Sequence, residues 1–134
     1  MFIARRSVNS KYFNYPTSVE KPLYGVYELY QLKEFPKEIY ICESMIDCIY
    51  LWTFKKYAVA LNGLGTNSQI KELNNLPCRK FILATDNDVA GQRARQKLRN
   101  NLYNHIVTEL RLPNFRKDIN ECTADEIKNL QEFF

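Results

Sequence analysis

Three short apolar runs, at 39–42, 58–61 and 81–85, are each followed by a stretch whose apolar residues recur at helical spacing. This alternation restricts the fold more than any other feature. Strand, crossover helix and parallel strand imply a mostly parallel sheet with right-handed connections and helices packed on its faces. Met45, Ile46, Ile49, Tyr50 and Trp52 mark a first helix over 45–55, and Ser68 is a candidate cap for a second, ahead of Ile70, Leu73 and Leu76. The third is the longest, with Ala90, Ala94, Leu98 and Leu102 on one stripe. That stripe is expected to cover the sheet while Arg93, Arg95, Lys97 and Arg99 stay in water. Residues 106–112 supply a fourth strand and 123–134 a short terminal helix. The expected class is α/β, with a mostly parallel four-stranded sheet flanked by helices.

The amino-terminal part reads differently. Residues 2–8 and 11–15 flank Asn9-Ser10, a possible hairpin, before Pro16, Pro22 and Pro36 punctuate a connecting segment. Residues 1–38 are too few to fold alone, which leaves 39–134 as the main domain. At 134 residues the chain can bury roughly two thirds of its unfolded surface around one core. No run reaches the ~18 apolar residues of a membrane span, and the first residues carry their charges after the apolar ones, the wrong order for a signal peptide. A cytoplasmic protein without membrane contact is expected. Cys42, Cys48, Cys78 and Cys122 form no C-x-x-C pair, so neither a disulfide framework nor a zinc site is supported. His105 is the sole histidine and reads as structural.

Acids fall where such a sheet binds ligands. Glu43 follows the first strand, and Asp86 and Asp88 follow the third. Parallel α/β sheets place ligand groups in the crevice beyond their carboxyl ends. Carboxylates gathered there repel one another unless a cation shares the site, and a hard ion such as Mg²⁺ takes oxygen ligands. Asp86 and Asp88 lie two apart and could grip one ion, although Asp88 could equally cap the next helix. Asp47, one helical turn past Glu43, could orient it. Asp118, after the fourth strand, is a candidate supporting or second-metal group. Gly63, Gly65 and Thr66 could offer backbone N–H groups to a phosphate or form an ordinary turn, for no Walker lysine accompanies them. Charge is segregated as well: residues 79–117 carry nine Lys or Arg against three acids, and 118–134 carry one Lys against five. A basic stretch beside an acidic site suits a polyanion.

In order and context, Glu43-Ser-Met-Ile-Asp47, Gly63-Leu-Gly65-Thr66, Asp86-Asn-Asp88-Val-Ala-Gly91 and Lys117-Asp118-Ile-Asn120 resemble the motifs of the TOPRIM domain, a Rossmann-like fold shared by primases, topoisomerases and some nucleases. The resemblance implies that Glu43, Asp86 and Asp88, with Asp118, hold Mg²⁺ or Mn²⁺ during phosphoryl transfer, with Asp47 and Asn120 supporting them. The segment Lys11-Tyr-Phe-Asn14-Tyr-Pro16 and Lys21-Pro-Leu-Tyr-Gly25 is similar to the one that precedes TOPRIM in bacterial DnaG-type replicative primases. That similarity implies primer synthesis on a single-stranded DNA template from ribonucleoside triphosphates. Arg5, Lys11, Lys21, Arg93, Lys97 and Lys117, with the glycine loop, would hold nucleotide or template.

The chain departs from the pattern at Ser44, Asn87 and Asn120, where the family has Gly, Gly and Asp. It also lacks that family's zinc ribbon, most of its basic subdomain and its helicase-binding domain, so it resembles a catalytic core fragment of a phage or mobile-element kind. A replicative helicase would be met through those other parts. A nuclease using the same carboxylates and a non-catalytic binding module are the alternatives.

Overall fold

The computed structural model describes residues 5–6, 13–14 and 21–134, the first two pairs by backbone alone. Two short strands, β1 (Arg5–Arg6) and β2 (Phe13–Asn14), pair antiparallel, as the hairpin reading expects. Lys11 and the remainder of that segment lie outside the described residues. Then come α1 (Val26–Tyr30), β3 (Glu38–Cys42), α2 (Met45–Thr53), β4 (Ala58–Ala60), α3 (Asn67–Asn74), β5 (Lys80–Leu83), α4 (Val89–Asn101), β6 (Ile106–Leu110), a 3₁₀ turn (Ile119–Glu121), α5 (Ala124–Lys128) and β7 (Glu132–Phe133). The larger sheet has the order β4-β3-β5-β6-β7. Its first four strands run parallel, as expected, and β7 adds a fifth, antiparallel to β6.

The central strands are buried on both faces, and period-two alternation sorts their side chains between two cores. Ile39, Ile41, Phe81 and Leu83 meet Leu73 of α3, Leu98 of α4 and Leu29 of α1 on one face. Tyr40, Cys42, Ile82 and Ala84 meet Cys48 and Leu51 of α2, with Ile119 and Ile127, on the other. Each large aliphatic side chain so buried contributes about 1.5–3 kcal/mol. His105 is structural: a ring nitrogen lies 3.0 Å from the Leu76 carbonyl and its ring packs on Phe81. All four cysteines are free thiols, three of them buried. No helix among the described residues is long and apolar enough to cross a membrane.

Four local expectations are corrected. Thr66, not Ser68, caps α3, because Thr66 stands in extended backbone and exchanges reciprocal hydrogen bonds with Gln69 three residues on. The expected connecting segment that Pro16, Pro22 and Pro36 punctuate contains α1 and an antiparallel bridge from Tyr24 to Ala60, which covers the outer edge of β4. The terminal helix stops at Lys128. Beyond it the chain returns along the open edge of β6, where Glu132 accepts from Lys80 and Thr108 and the Phe133 carbonyl accepts from Arg99. An edge strand's unpaired N–H and C=O groups favour such pairing over one more helical turn. Finally, the basic flank of α4 is only partly in water: Arg93 is exposed, but Arg95 and Arg99 fold onto Glu109 of β6.

Candidate metal centre

The parallel register brings the ends of β3 and β5 side by side, so the residues that follow them meet. The Asp86 amide donates to Glu43 Oε1 at 3.2 Å, tying the two strand ends together across the crevice. Asp88 caps the helix, one of the two roles its position allowed, and keeps its second oxygen clear of that cap. Its Oδ1 caps α4 by accepting from the Gly91 amide at 2.7 Å, while Oδ2 faces Lys117 Nζ at 3.9 Å. Gly91 is required by contact: a Cβ there would collide with the Asp86 carbonyl. Helix α4 therefore begins hard against the loop that carries both aspartates.

Glu43, Asp86 and Asp88 each offer one oxygen within 4.8 Å of the others, and so do Asp47, Asp86 and Asp118. Asp86 belongs to both groups. Asp47 is 1% exposed and fully engaged: Oδ2 accepts from the Ser44 hydroxyl, and Oδ1 accepts from the Asn120 backbone amide and side-chain amide at 2.9 and 2.7 Å. It thereby clips the 3₁₀ turn onto the start of α2. Asp118 begins that turn and caps it by accepting from the Glu121 amide.

Electrostatically the cluster is strained by its own charges. Burial, then repulsion from Glu43, Asp47, Asp118 and Asp88, pushes the Asp86 carboxyl up to about 8. Burial also raises Glu43, opposed by the Asp86 amide, and it raises Asp47 and Asp118. Asp86 Oδ1 is buried with no hydrogen-bond partner among the described residues. A buried acceptor without a donor costs about 1–3 kcal/mol. A hard divalent cation would supply what is missing, and an all-carboxylate oxygen set is the set such an ion takes. The residues present thus fit one.

The basic groups are deployed unevenly. Lys21 Nζ donates to the Asn62 carbonyl at 3.1 Å, and Lys97 Nζ donates to the Gly65 carbonyl at 2.6 Å, so both lysines hold the loop after β4. Within that loop Gly63 and Gly65 have positive φ and Thr66 is committed to capping α3. Arg93, on α4, and Lys117, just ahead of Asp118, are exposed. Arg5 is described by backbone only. The parts played by two residues escaped the reading of the sequence. Ser44 caps α2 and holds Asp47, which the S-x-x-D spacing could have signalled. Arg95 donates to Thr85 Oγ1 and the Thr85 carbonyl, and its charge draws Glu43 down. Nothing local in the sequence distinguishes Arg95 from its basic neighbours.

Residues 40–123 match the family model described as Toprim-like, a span that contains every one of these carboxylates. Over 86 residues, 63% of this chain, it is 37% identical to the DNA primase of Buchnera aphidicola subsp. Baizongia pistaciae, and over 89 residues 34% identical to that of Haemophilus influenzae. The chain spans only 15% of the length of each. Among solved structures, the primase fragment of the bacteriophage T7 primase-helicase aligns with 69% of this chain and 43% of its own at a TM-score of 0.55 and 29% identity. The zinc-binding and RNA polymerase domains of Aquifex aeolicus primase share the fold over 96% of this chain and 36% of their own, at a TM-score of 0.68 and 21% identity. The sheet order, the acids at its carboxyl ends and the matched span agree: this chain belongs to the Toprim-like family.

Proposed function

We propose that this chain is the metal-binding catalytic part of a primase, joining ribonucleoside triphosphates into a primer on single-stranded DNA. The observation that carries the reading is the buried, unpartnered Asp86 Oδ1 among four further carboxylates at the sheet's carboxyl end. The likeness to two DNA primases at 34% and 37% identity supports nucleotidyl transfer as the chemistry of that site.

Glu43, Asp86 and Asp88 would hold Mg²⁺ or Mn²⁺, with Asp118 as a further ligand. When bound, such an ion offsets triphosphate charge and acidifies an attacking hydroxyl. The chain's own residues do the rest by position. Asp88 keeps one oxygen on Gly91 and presents the other, and Asp47, clamped from both sides, keeps Asp118 facing Asp86. Lys117 and Arg93 sit where they can meet phosphates of nucleotide or template, while Lys21 and Lys97 act by stiffening the loop after β4. Arg5 and Lys11 are proposed to reach the template from the preceding segment. Template binding of this kind is salt-dependent. The T7 relative is a primase-helicase, which supports a replicative helicase as partner.

The test incubates the protein with single-stranded DNA, labelled ribonucleotides and Mg²⁺ or Mn²⁺, beside Glu43→Gln. Primer synthesis that the substitution abolishes is the expected result. Cleavage of the DNA, lost in the same variant, would replace this reading with a nuclease.

A further inference from the structure

A buried hydroxyl stands between β5 and the metal centre. Thr85, one residue before Asp86, is 0% exposed. Its Oγ1 donates to the Gly91 carbonyl at 3.0 Å and accepts from Arg95 Nε at 3.1 Å. A second nitrogen of the same guanidinium donates to the Thr85 carbonyl at 3.3 Å, so Arg95 grips one residue at two points. Gly91 and Arg95 lie four apart in α4 and therefore share a face of the helix. The remaining nitrogen, Nη1, lies 4.0 Å from Glu109 of β6, which Arg99 holds in turn at 3.0 Å.

These contacts reach both aspartates. The Thr85 carbonyl belongs to the planar peptide that leads into Asp86, so fixing it fixes the direction in which the Asp86 backbone leaves the sheet. Gly91, on the other side of the hydroxyl, lies against the Asp86 carbonyl and donates to Asp88 Oδ1 at 2.7 Å. Asp86 and Asp88 are thus both tied to a Thr85 and Arg95 pair that supplies no oxygen to the acidic cluster itself. The arginine's charge also reaches the centre, where it opposes the upward push that burial gives the Glu43 carboxyl. A cation this near to a cation site works against metal binding, because like charges repel. Its two bonds to Thr85 are the compensating contribution that the geometry offers.

We propose that Arg95 is a positioning residue of the metal centre: through Thr85 it sets the spacing of Asp86 and Asp88 for a divalent cation. The assignment rests on the reading of these carboxylates as a metal site. Removing a group that orients metal ligands from behind changes metal affinity about 10–100-fold. Charge and position make opposite predictions here. If Arg95 acted through its charge alone, deleting it would relieve repulsion and tighten the ion. Acting by position, its deletion loosens the ion despite that relief.

The test is equilibrium titration with Mn²⁺ of the wild type, Arg95→Ala, Arg95→Lys, Thr85→Val and Thr85→Ser, each also melted in chelator. Arg95→Ala and Thr85→Val are expected to weaken Mn²⁺ by about tenfold or more, and together by no more than the larger single loss, since both delete one link. Arg95→Lys should weaken it too, because an ammonium keeps the charge but not the two-point grip. Thr85→Ser keeps the hydroxyl and should keep wild-type affinity. Tighter or unchanged Mn²⁺ binding by Arg95→Ala, or unchanged binding by Thr85→Val, would overturn the proposal and leave the metal centre standing. A lower Tm in chelator with unaltered Mn²⁺ affinity would reduce Arg95 to a packing residue. If Arg95→Ala does not fold, Arg95→Lys and the two Thr85 variants decide by the same signs. A wild type that binds no Mn²⁺ ends the metal-centre reading and this positioning role together.

Discussion

Acidic residues occur in two regions of this molecule and are treated in opposite ways. Away from the carboxyl end of the sheet several are paired with cations: Lys80 lies 3.4 Å from Glu38 and 2.6 Å from Glu132, Arg99 meets Glu109 at 3.0 Å, and Arg116 meets Glu126 at 2.8 Å. At the carboxyl end, Glu43, Asp47, Asp86, Asp88 and Asp118 crowd together, and the one ion pair among the described residues is Lys117 with Asp88 at 3.9 Å, on a lysine side chain that is 63% exposed. Cations are not scarce, for the chain carries 19 Lys and Arg against 15 acids. The crowding is therefore a property of where the fold puts its acids. It teaches that the two regions should respond oppositely to substitution and to pH.

Asp86→Asn breaks the contrast most directly. Removing the most crowded charge should cut the primer synthesis proposed above by about 10²–10³-fold, the usual loss when one electrostatic contact to a reacting group is deleted. The same change should stabilise the metal-free protein at pH 8. Asp86 has its folded value raised to about 8 from an ordinary ~3.9, so its contribution to stability is full below about pH 4 and is lost as pH rises through 8. Melting curves in chelator between pH 4 and 9 should show Tm declining over that window in the wild type. A decline of the same steepness in Asp86→Asn would exclude Asp86 as its source.

Gly91→Ala attacks the geometry rather than the charge. The added carbon meets the Asp86 backbone, so the start of α4 must move away from the aspartate loop. Overpacking against backbone costs about 3 kcal/mol at its upper range, and urea unfolding should register a loss of that order. Retention of wild-type stability would mean that the contact relaxes freely.

Smaller effects are expected in the paired region. Glu132→Gln removes the charge that pairs with Lys80 at the β7 edge while leaving an oxygen for Thr108, and partly exposed pairs of this kind are worth about 0.5–1 kcal/mol. Glu126→Gln should matter least at neutral pH, because its pair with Arg116 is partly exposed and glutamine keeps an oxygen for the Thr123 amide. Its pH dependence runs opposite to that of Asp86. Arg116 draws Glu126 down to about 2, so the pair's contribution is present above about pH 4 and is lost as pH falls through 2. Deleting Glu126 should flatten the acid limb of the Tm profile and leave the alkaline limb untouched.

Much of the site was legible because it obeys local rules. An apolar run such as Phe81-Ile-Leu-Ala84 is a buried strand in nearly any context, and the residue after it must lie at the sheet's end. Glu43, Asp86 and Asp88 were found that way. The role of Asp47 was only half visible: its spacing from Glu43 put it near the crevice, but its clamp comes from Asn120, 73 residues away. The contact made by Lys97 was not legible, since a lysine on a basic helix face carries no sign that its amine reaches the Gly65 carbonyl. Strand β7 was invisible for a related reason. Two residues cannot display a period, and their state depends on the vacant edge of β6.

By itself the sequence determined the strand and helix alternation, the parallel sense of the sheet and the identity of the acids at its end, because periodicity and chain connectivity leave those few alternatives. Tertiary structure alone decided which of those acids keep a partner. Burial and charge spacing depend on residues that are remote in sequence, and they leave Asp47 with three hydrogen bonds and Asp86 Oδ1 with none.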